Sequence, residues 1–269
     1  MDYQDILWEQ RGPIGILIFN RPEKLNAVSQ RLIHESLDAL EQIDKDDAFK
    51  ALIITGTGRG FCSGADLTAD RGRNVFAELG KRDERKFLSA PVGGFSILCS
   101  TIHRCRVPVI MAVNGITAGA GLGLCLAGDI RIASTEARFS AIFVRRGLSP
   151  ATGPTYFLPR IIGTARALEM MFTGDMVDAA EALKLGLVSR VVEPPDLMAT
   201  ALALAERIAS GPSIAIELAK KLTYEGLRNT LDTQLGYEAW AVTLCGNSED
   251  GQEGRRSFIE KRQPEFKGR

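Results

Sequence analysis

Val109-Ile-Met-Ala-Val113 runs into Asn114-Gly-Ile-Thr-Ala-Gly-Ala-Gly121 and then into Leu122-Gly-Leu-Cys-Leu126. The first segment is a compact apolar run ended by Asn114-Gly115, which reads as a buried strand. Glycine then lets the backbone turn tightly and approach a ligand closely. The apolar pattern beyond reads as a helix whose first N–H groups, and the positive end of its dipole, face the turn. A second glycine-rich turn, Gly60-Phe-Cys-Ser-Gly-Ala-Asp-Leu67, follows another strand-like run, Ala51 to Thr55. Two such turns can bring two N–H donors onto one carbonyl oxygen, the arrangement of an oxyanion hole.

Outward from these turns, strand-like runs alternate with helical patterns. Ile14 to Phe19, Ile130 to Ala133 and Leu187 to Val192 read as further strands. Ser29 can cap a helix carrying Ile33, Leu37, Leu40 and Ile43 on one face. This alternation predicts an α/β core with largely parallel strands over residues 1–195. After Pro194-Pro195 the texture is helical: Asp196–Ser210, Ser213–Glu225, Leu231–Asn247 and Gly251–Lys261, so residues 196–269 form a helical region. It is too small and amphipathic to stand alone and is expected to pack on the core or another subunit. Asp70 to Ala90 is a polar, charge-dense insertion.

Composition removes several function classes. Lys plus Arg and Asp plus Glu each total 33, and a neutral balance argues against holding nucleic acid or an acidic membrane by bulk charge. Val107 to Gly128 is uncharged and as long as a membrane span, but Pro108, Asn114 and five glycines fit a strand, turn and helix better. With only His34 and His103, a His-rich metal site is excluded, and no metal is expected. Five cysteines, never spaced C-x-x-C, and an acidic start without signal-peptide character predict free thiols in a cytoplasmic protein. Neither Gly56-Thr-Gly58-Arg-Gly60 nor Gly119-Ala-Gly121-Leu-Gly123 completes a dinucleotide fingerprint, and no Walker A sequence occurs. Gly60-Phe-Cys62-Ser-Gly64 matches a thiol form of the nucleophile elbow; the alternative is a packed cysteine in a glycine-lined turn.

Six blocks in order carry a family resemblance: Arg21-Pro-Glu-Lys-Leu-Asn-Ala27, Phe61 to Leu67, Pro108 to Gly115, Gly128-Asp-Ile-Arg-Ile-Ala133, Leu158-Pro-Arg160 and Glu253 to Arg262. Together they resemble the enoyl-CoA hydratase/isomerase (crotonase) superfamily, most closely its ring-epoxide phenylacetyl-CoA isomerase and enoyl-CoA isomerase branch. The resemblance implies a spiral of ββα units with a C-terminal helical region used for trimerisation, giving a homotrimer or dimer of trimers. It implies an acyl-CoA thioester as substrate, with coenzyme A part of that substrate and no separate cofactor. The oxyanion donors carried over are the N–H groups of Ala65 and Ala120, the second of these standing where the family usually has glycine. Lys24, Leu25, Ala27, Asp66 and Leu67 would line the coenzyme A path. Phe258 and Lys261 match positions at the adenine end that a neighbouring subunit often supplies.

The chain departs from the family where the reaction is decided. The resemblance places one hydratase carboxylate at Gly123, the other at Phe143, and the isomerase carboxylate at Ala151. None of these residues moves a proton, and such help is worth about 10²–10⁴-fold. Four readings follow: an isomerase-type enzyme with a relocated proton carrier, a chain that has lost its carboxylate at Ala151, a decarboxylation needing little acid–base help, or a silent acyl-CoA-binding subunit. Asp70, Glu78, Asp83, Tyr156, Tyr237 and Glu238 are the candidate relocated carriers, and a hydratase using such carriers is a further alternative.

Overall fold

The computed structural model describes residues 3–66 and 93–269. Strands β1 (Ile6–Arg11) and β2 (Ile14–Phe19) form an antiparallel hairpin whose turn uses Gly12 at φ +56°. Helix α1 (Gln30–Lys45) begins where the sequence requires: the Ser29 hydroxyl accepts from the Leu32 N–H at 2.9 Å. Its stripe of Ile33, Leu40 and Ile43 is buried.

Three strand pairs then repeat one plan: β3 (Ala51–Gly56) with β4 (Gly60–Cys62), β5 (Val109–Val113) with β6 (Ile116–Ala118), and β7 (Ile130–Ser134) with β8 (Arg138–Ser140). The first strand of each pair joins one sheet and the second joins another. Helix α2 (Gly94–Arg104) precedes β5, α3 (Ala120–Leu126) follows β6, and α4 (Pro154–Ile162) and α5 (Thr164–Thr173) follow β8. Next come β9 (Val177–Asp178), α6 (Ala179–Leu185) and β10 (Arg190–Val192). The larger sheet has the order β1-β2-β3-β5-β7-β10 and is parallel except for β1; the smaller is β4-β6-β8-β9, parallel except at β8–β9. This is the expected α/β spiral of ββα units.

Alternation along β5 explains how both faces of the larger sheet are covered. Val109, Met111 and Val113 enter the core shared with α1, α2 and α3, whereas Ile110 and Ala112 face the other way. That second face is closed by Leu197, Ala201 and Ala205 of α7 (Leu197–Ala209). The first helix beyond residue 195 therefore serves the sheet directly.

The small sheet was not visible in the sequence, because its central strands are three residues long and cannot show a period. Each apparent glycine-rich turn in fact contains one of them. The strand expected over Leu187–Val192 is confined to Arg190–Val192. Val107 to Gly128 resolves into β5, β6 and α3, and no helix among the described residues is long and apolar enough to cross a membrane.

Helices α8 (Ser213–Gly226), α9 (Leu231–Asn247) and α10 (Glu249–Glu260) complete the chain. Asp129 pins α8 to the core: its carboxylate meets Lys220 Nζ at 2.8 Å and accepts from the Tyr224 hydroxyl at 2.7 Å and the Val109 N–H at 2.6 Å. These side chains are largely shielded, with Lys220 10% and Asp129 15% exposed. Removing one member of such a pair leaves an uncompensated charge. Asp129→Ala should therefore lower unfolding free energy by about 3 kcal/mol in a denaturant titration, with α8 losing amide-exchange protection first.

Candidate active site

Parallel pairing of β4 with β6 matches Gly60 to Ile116 and Cys62 to Thr117, so both strands deliver their following turns to the same end of the small sheet. The turns touch. A β-carbon built on Gly64 would stand 3.0 Å from the Ala118 carbonyl oxygen and 3.5 Å from the Ala120 nitrogen. Both turns need glycine's conformational range, with Gly64 at φ +108° and Gly119 at φ +54°.

Among the described residues, each turn leaves one amide without a backbone acceptor for a structural reason. Val28 and Ala65 form a parallel bridge in which Val28 N–H donates to Gly64 O at 2.7 Å and Asp66 N–H donates to Val28 O at 3.0 Å. That pattern turns the N–H of Ala65 itself away from Val28. Ala120 is the first residue of α3, where an N–H has no acceptor inside the helix. Among the described residues neither amide has a backbone acceptor.

The segment from Arg21 to Val28 braces the first turn. Leu25 and Asn26 are both left-handed, at φ +50° and +56°. The fully buried Asn26 amide group donates to Thr57 O at 2.9 Å and Gly60 O at 2.7 Å, while its oxygen accepts from Arg21 N–H at 2.7 Å. The Leu25 carbonyl accepts from Ser63 N–H at 3.0 Å. Asp66, its carboxyl only 3% exposed, meets Arg21 at 2.7 Å and Lys24 at 3.0 Å. Sequence reasoning included Arg21 and Asn26 in its first ordered block but did not find the bracing bonds they make. Lys24, Leu25, Ala27 and Asp66 thus share one braced corner with Ala65, whereas Leu67 lies outside the described residues. Phe258 and Lys261 lie at the end of α10, Phe258 85% exposed and Lys261 in a left-handed cap at φ +54°.

The thiol of the elbow-like segment is unavailable for nucleophilic attack. Cys62 is fully buried at the end of β4, and burial pushes its pKa up to about 12. His34 is exposed on α1, and His103 packs against Tyr156, Phe157 and Tyr224. The packed-cysteine reading of Gly60–Gly64 is the one the structure supports. Among the described residues no group of His, Cys, Asp and Glu is arranged to hold a metal.

The three positions lacking carboxylates differ in kind. Gly123 lies one turn into α3, and a β-carbon there would come within 2.0 Å of the Thr152 carbonyl oxygen, a contact no side chain can make. Thr152 is itself left-handed, at φ +65°, and its carbonyl accepts from the Cys99 thiol at 3.3 Å. Phe143 is half-buried in a short helical turn, Ile142–Arg146. Ala151 is exposed. Of the candidate relocated carriers, Tyr156 is covered by the Arg160 guanidinium at 3.9 Å, and Tyr237 and Glu238 sit on exposed positions of α9. Asp70, Glu78 and Asp83 lie outside the described residues.

Comparison with known proteins adds an independent line. A family model described as enoyl-CoA hydratase/isomerase matches residues 9–269. A probable enoyl-CoA hydratase of Rhodobacter capsulatus is 38% identical over 269 residues, covering 100% of both chains. The 1,2-epoxyphenylacetyl-CoA isomerase of Escherichia coli is 38% identical over 258 residues, covering 94% of each. A crystal structure of an enoyl-CoA hydratase subunit from Geobacillus kaustophilus superposes with a TM-score of 0.88 at 34% identity, covering 100% of both chains.

The contact at position 123 makes a direct stability prediction. Gly123→Ala should lower unfolding free energy by about 3 kcal/mol, because the clash is with backbone. Adding Thr152→Gly, which lets that carbonyl move, should recover part of the loss in the same denaturant measurement.

Proposed function

The chain belongs to the enoyl-CoA hydratase/isomerase family, and from that premise we propose that it isomerises or rearranges an unsaturated acyl-CoA through an enolate. The thioester oxygen sits between the N–H groups of Ala65 and Ala120, where negative charge develops as the enolate forms. Coenzyme A runs along the corner made by Lys24, Leu25, Ala27 and Asp66, with Leu67 assigned to the same path by the family resemblance, and needs no additional cofactor. Lys24 supplies positive charge near that path.

The observation that favours isomerisation over water addition is the closure of position 123. A hydratase of the two-carboxylate type needs an acid there and another at 143. One site is filled by a backbone carbonyl and the other by a phenyl ring. Position 151, by contrast, faces open space, and an isomerase needs one carboxylate there.

The proposed assembly is a homotrimer or a dimer of trimers. Its support is α9, which exposes Leu231, Leu235, Trp240 and Val242 by 51–73%. Such a helix is apolar on faces the monomer leaves uncovered. In the assembly Phe258 and Lys261 reach the adenine end of a neighbour's coenzyme A. The free thiols Cys62, Cys99, Cys105, Cys125 and Cys245 are consistent with a cytoplasmic location.

Two variants test this reading. Proline is at home in the first position of a helix, so Ala120→Pro deletes the N–H while keeping α3. It should cut turnover, or α-proton exchange with deuterated water, by about 10²–10³-fold with little change in Tm. Retained activity in folded protein would remove Ala120 from the mechanism. Ala151→Asp should raise isomerisation of an unsaturated acyl-CoA by about 10²-fold or more. No gain in soluble protein would show that the proton travels by another route.

A further inference from the structure

Residues 262–269 hold no helix or strand, yet they double back along α10 from its end to its start. Lys261 makes the reversal: it is left-handed at φ +54°, and the Arg262 N–H donates to the Ser257 carbonyl at 3.1 Å, closing the last turn. From there the tail runs as a strap over one face of the helix, where Asp250, Glu253 and Gly254 stand at helical spacing. Arg262 grips the Glu253 carboxylate with two guanidinium nitrogens, at 2.5 and 2.9 Å, and the Glu265 N–H donates to it at 3.0 Å. A β-carbon built on Gly254 would stand 3.7 Å from the Phe266 ring. At the start of α10, Asp250 accepts the Lys267 N–H at 2.6 Å and the Gly268 N–H at 2.8 Å, while its own N–H donates to the Arg269 carbonyl at 3.1 Å.

These bonds differ in weight. The Arg262 side chain is 38% exposed, so water competes with its grip on Glu253. Asp250 is only 2% exposed, and its carboxylate has no solvent to replace the two main-chain donors. Asp250 is therefore the lock of the strap. Beyond it the strap reaches the core. Gly268, left-handed at φ +76°, lies against Lys50 and Ser213, and a β-carbon built on it would stand 2.5 Å from the Ser213 hydroxyl oxygen. Lys50 donates to that hydroxyl at 3.1 Å. Lys50 precedes β3, and Ser213 opens α8, the helix that Asp129 pins. Among the described elements α10 otherwise packs mainly on α9, so the strap is its direct tie to the core. Phe258 and Ile259 are left 85% and 78% exposed.

Building on the acyl-CoA reading and the assembly given above, we propose that Asp250 is a positioning residue for coenzyme A. Through the strap it holds α10 where Phe258 and Lys261 engage the nucleotide end of a neighbour's coenzyme A. Asp250 itself touches no substrate. Lys261 sits at the reversal where the strap begins, in a backbone region that a residue with a side chain keeps only when its surroundings hold it. A helix tied at both ends of the strap presents its two contact residues already ordered, which removes an ordering cost from binding.

Calorimetric titration with two unreactive thioesters tests this: butyryl-CoA, and S-butyryl-pantetheine, which lacks the nucleotide. The unsubstituted protein should bind butyryl-CoA more tightly. Asp250→Ala should weaken butyryl-CoA binding by about tenfold and leave S-butyryl-pantetheine within about twofold. Asp250→Asn keeps the side chain's shape and one acceptor oxygen, so it should lose about threefold and serves if the alanine variant does not fold. In a protein carrying both Phe258→Ala and Lys261→Ala, adding Asp250→Asn should produce no further loss. Equal losses for the two thioesters, a further loss in that combined variant, or undiminished butyryl-CoA affinity in a folded Asp250 variant would overturn the proposal. Failure of the unsubstituted protein to bind either thioester would instead overturn the acyl-CoA reading. Equal affinity of the unsubstituted protein for both would overturn the assignment of Phe258 and Lys261 to the nucleotide end.

Discussion

The contact between Gly121 and the carbonyl of Cys62 holds the candidate site together. A β-carbon at position 121 would come within 2.1 Å of that oxygen, so only glycine lets α3 lie directly against the end of β4. The closeness follows from the parallel pairing of β4 and β6, and it sets the separation of the two turns. If α3 rode farther out, the N–H groups of Ala65 and Ala120 would stand farther apart. Gly115 obeys the same constraint at the other end of the pair, where a β-carbon would stand 2.1 Å from the Arg59 carbonyl oxygen. Glycine is thus required at both ends of this strand pairing for close backbone approach.

The turn that carries Ala65 is also supported against local motion, and the braces come from distant segments. Asn26 is 34 residues from Gly60, and Asp66 is 45 from Arg21, yet these groups bond directly. The polar atoms involved are buried, so leaving any of them unpartnered would cost about 1–3 kcal/mol. That penalty makes the network cooperative: each member fixes its neighbour because none can turn to water. On the opposite side, Asp129 performs the same service for the C-terminal helices. The core thereby fixes both the corner around Ala65 and the seat of α8.

The sequence showed clearly those features that repeat over many residues or sit in ordered blocks. Ser29 marked the start of α1, apolar runs marked the strands of the large sheet, and the six blocks marked the family. The small sheet escaped because three-residue strands carry too few alternations to register, although they bring the two turns together. The bracing bonds of Arg21 and Asn26 escaped because their partners are far along the chain, and a single sequence carries no trace of such pairing. Gly123 and Ala151 read alike as missing carboxylates. Only the backbone distinguishes a position occupied by a carbonyl from one that faces open space.

That distinction bears on how such a scaffold changes reaction. Thr152 adopts a left-handed conformation that costs a branched residue of order 1–3 kcal/mol, and nearby packing and the Cys99 thiol hold it there. The Thr152 carbonyl in turn occupies the volume a side chain at 123 would need. Substituting the glycine alone therefore cannot place an acid at 123, because the space has been taken by main chain. Two changes that look independent in the sequence, glycine at 123 and a left-handed threonine at 152, are in the fold a single commitment. A two-carboxylate arrangement at 123 and 143 is thus closed by geometry, whereas position 151 is exposed.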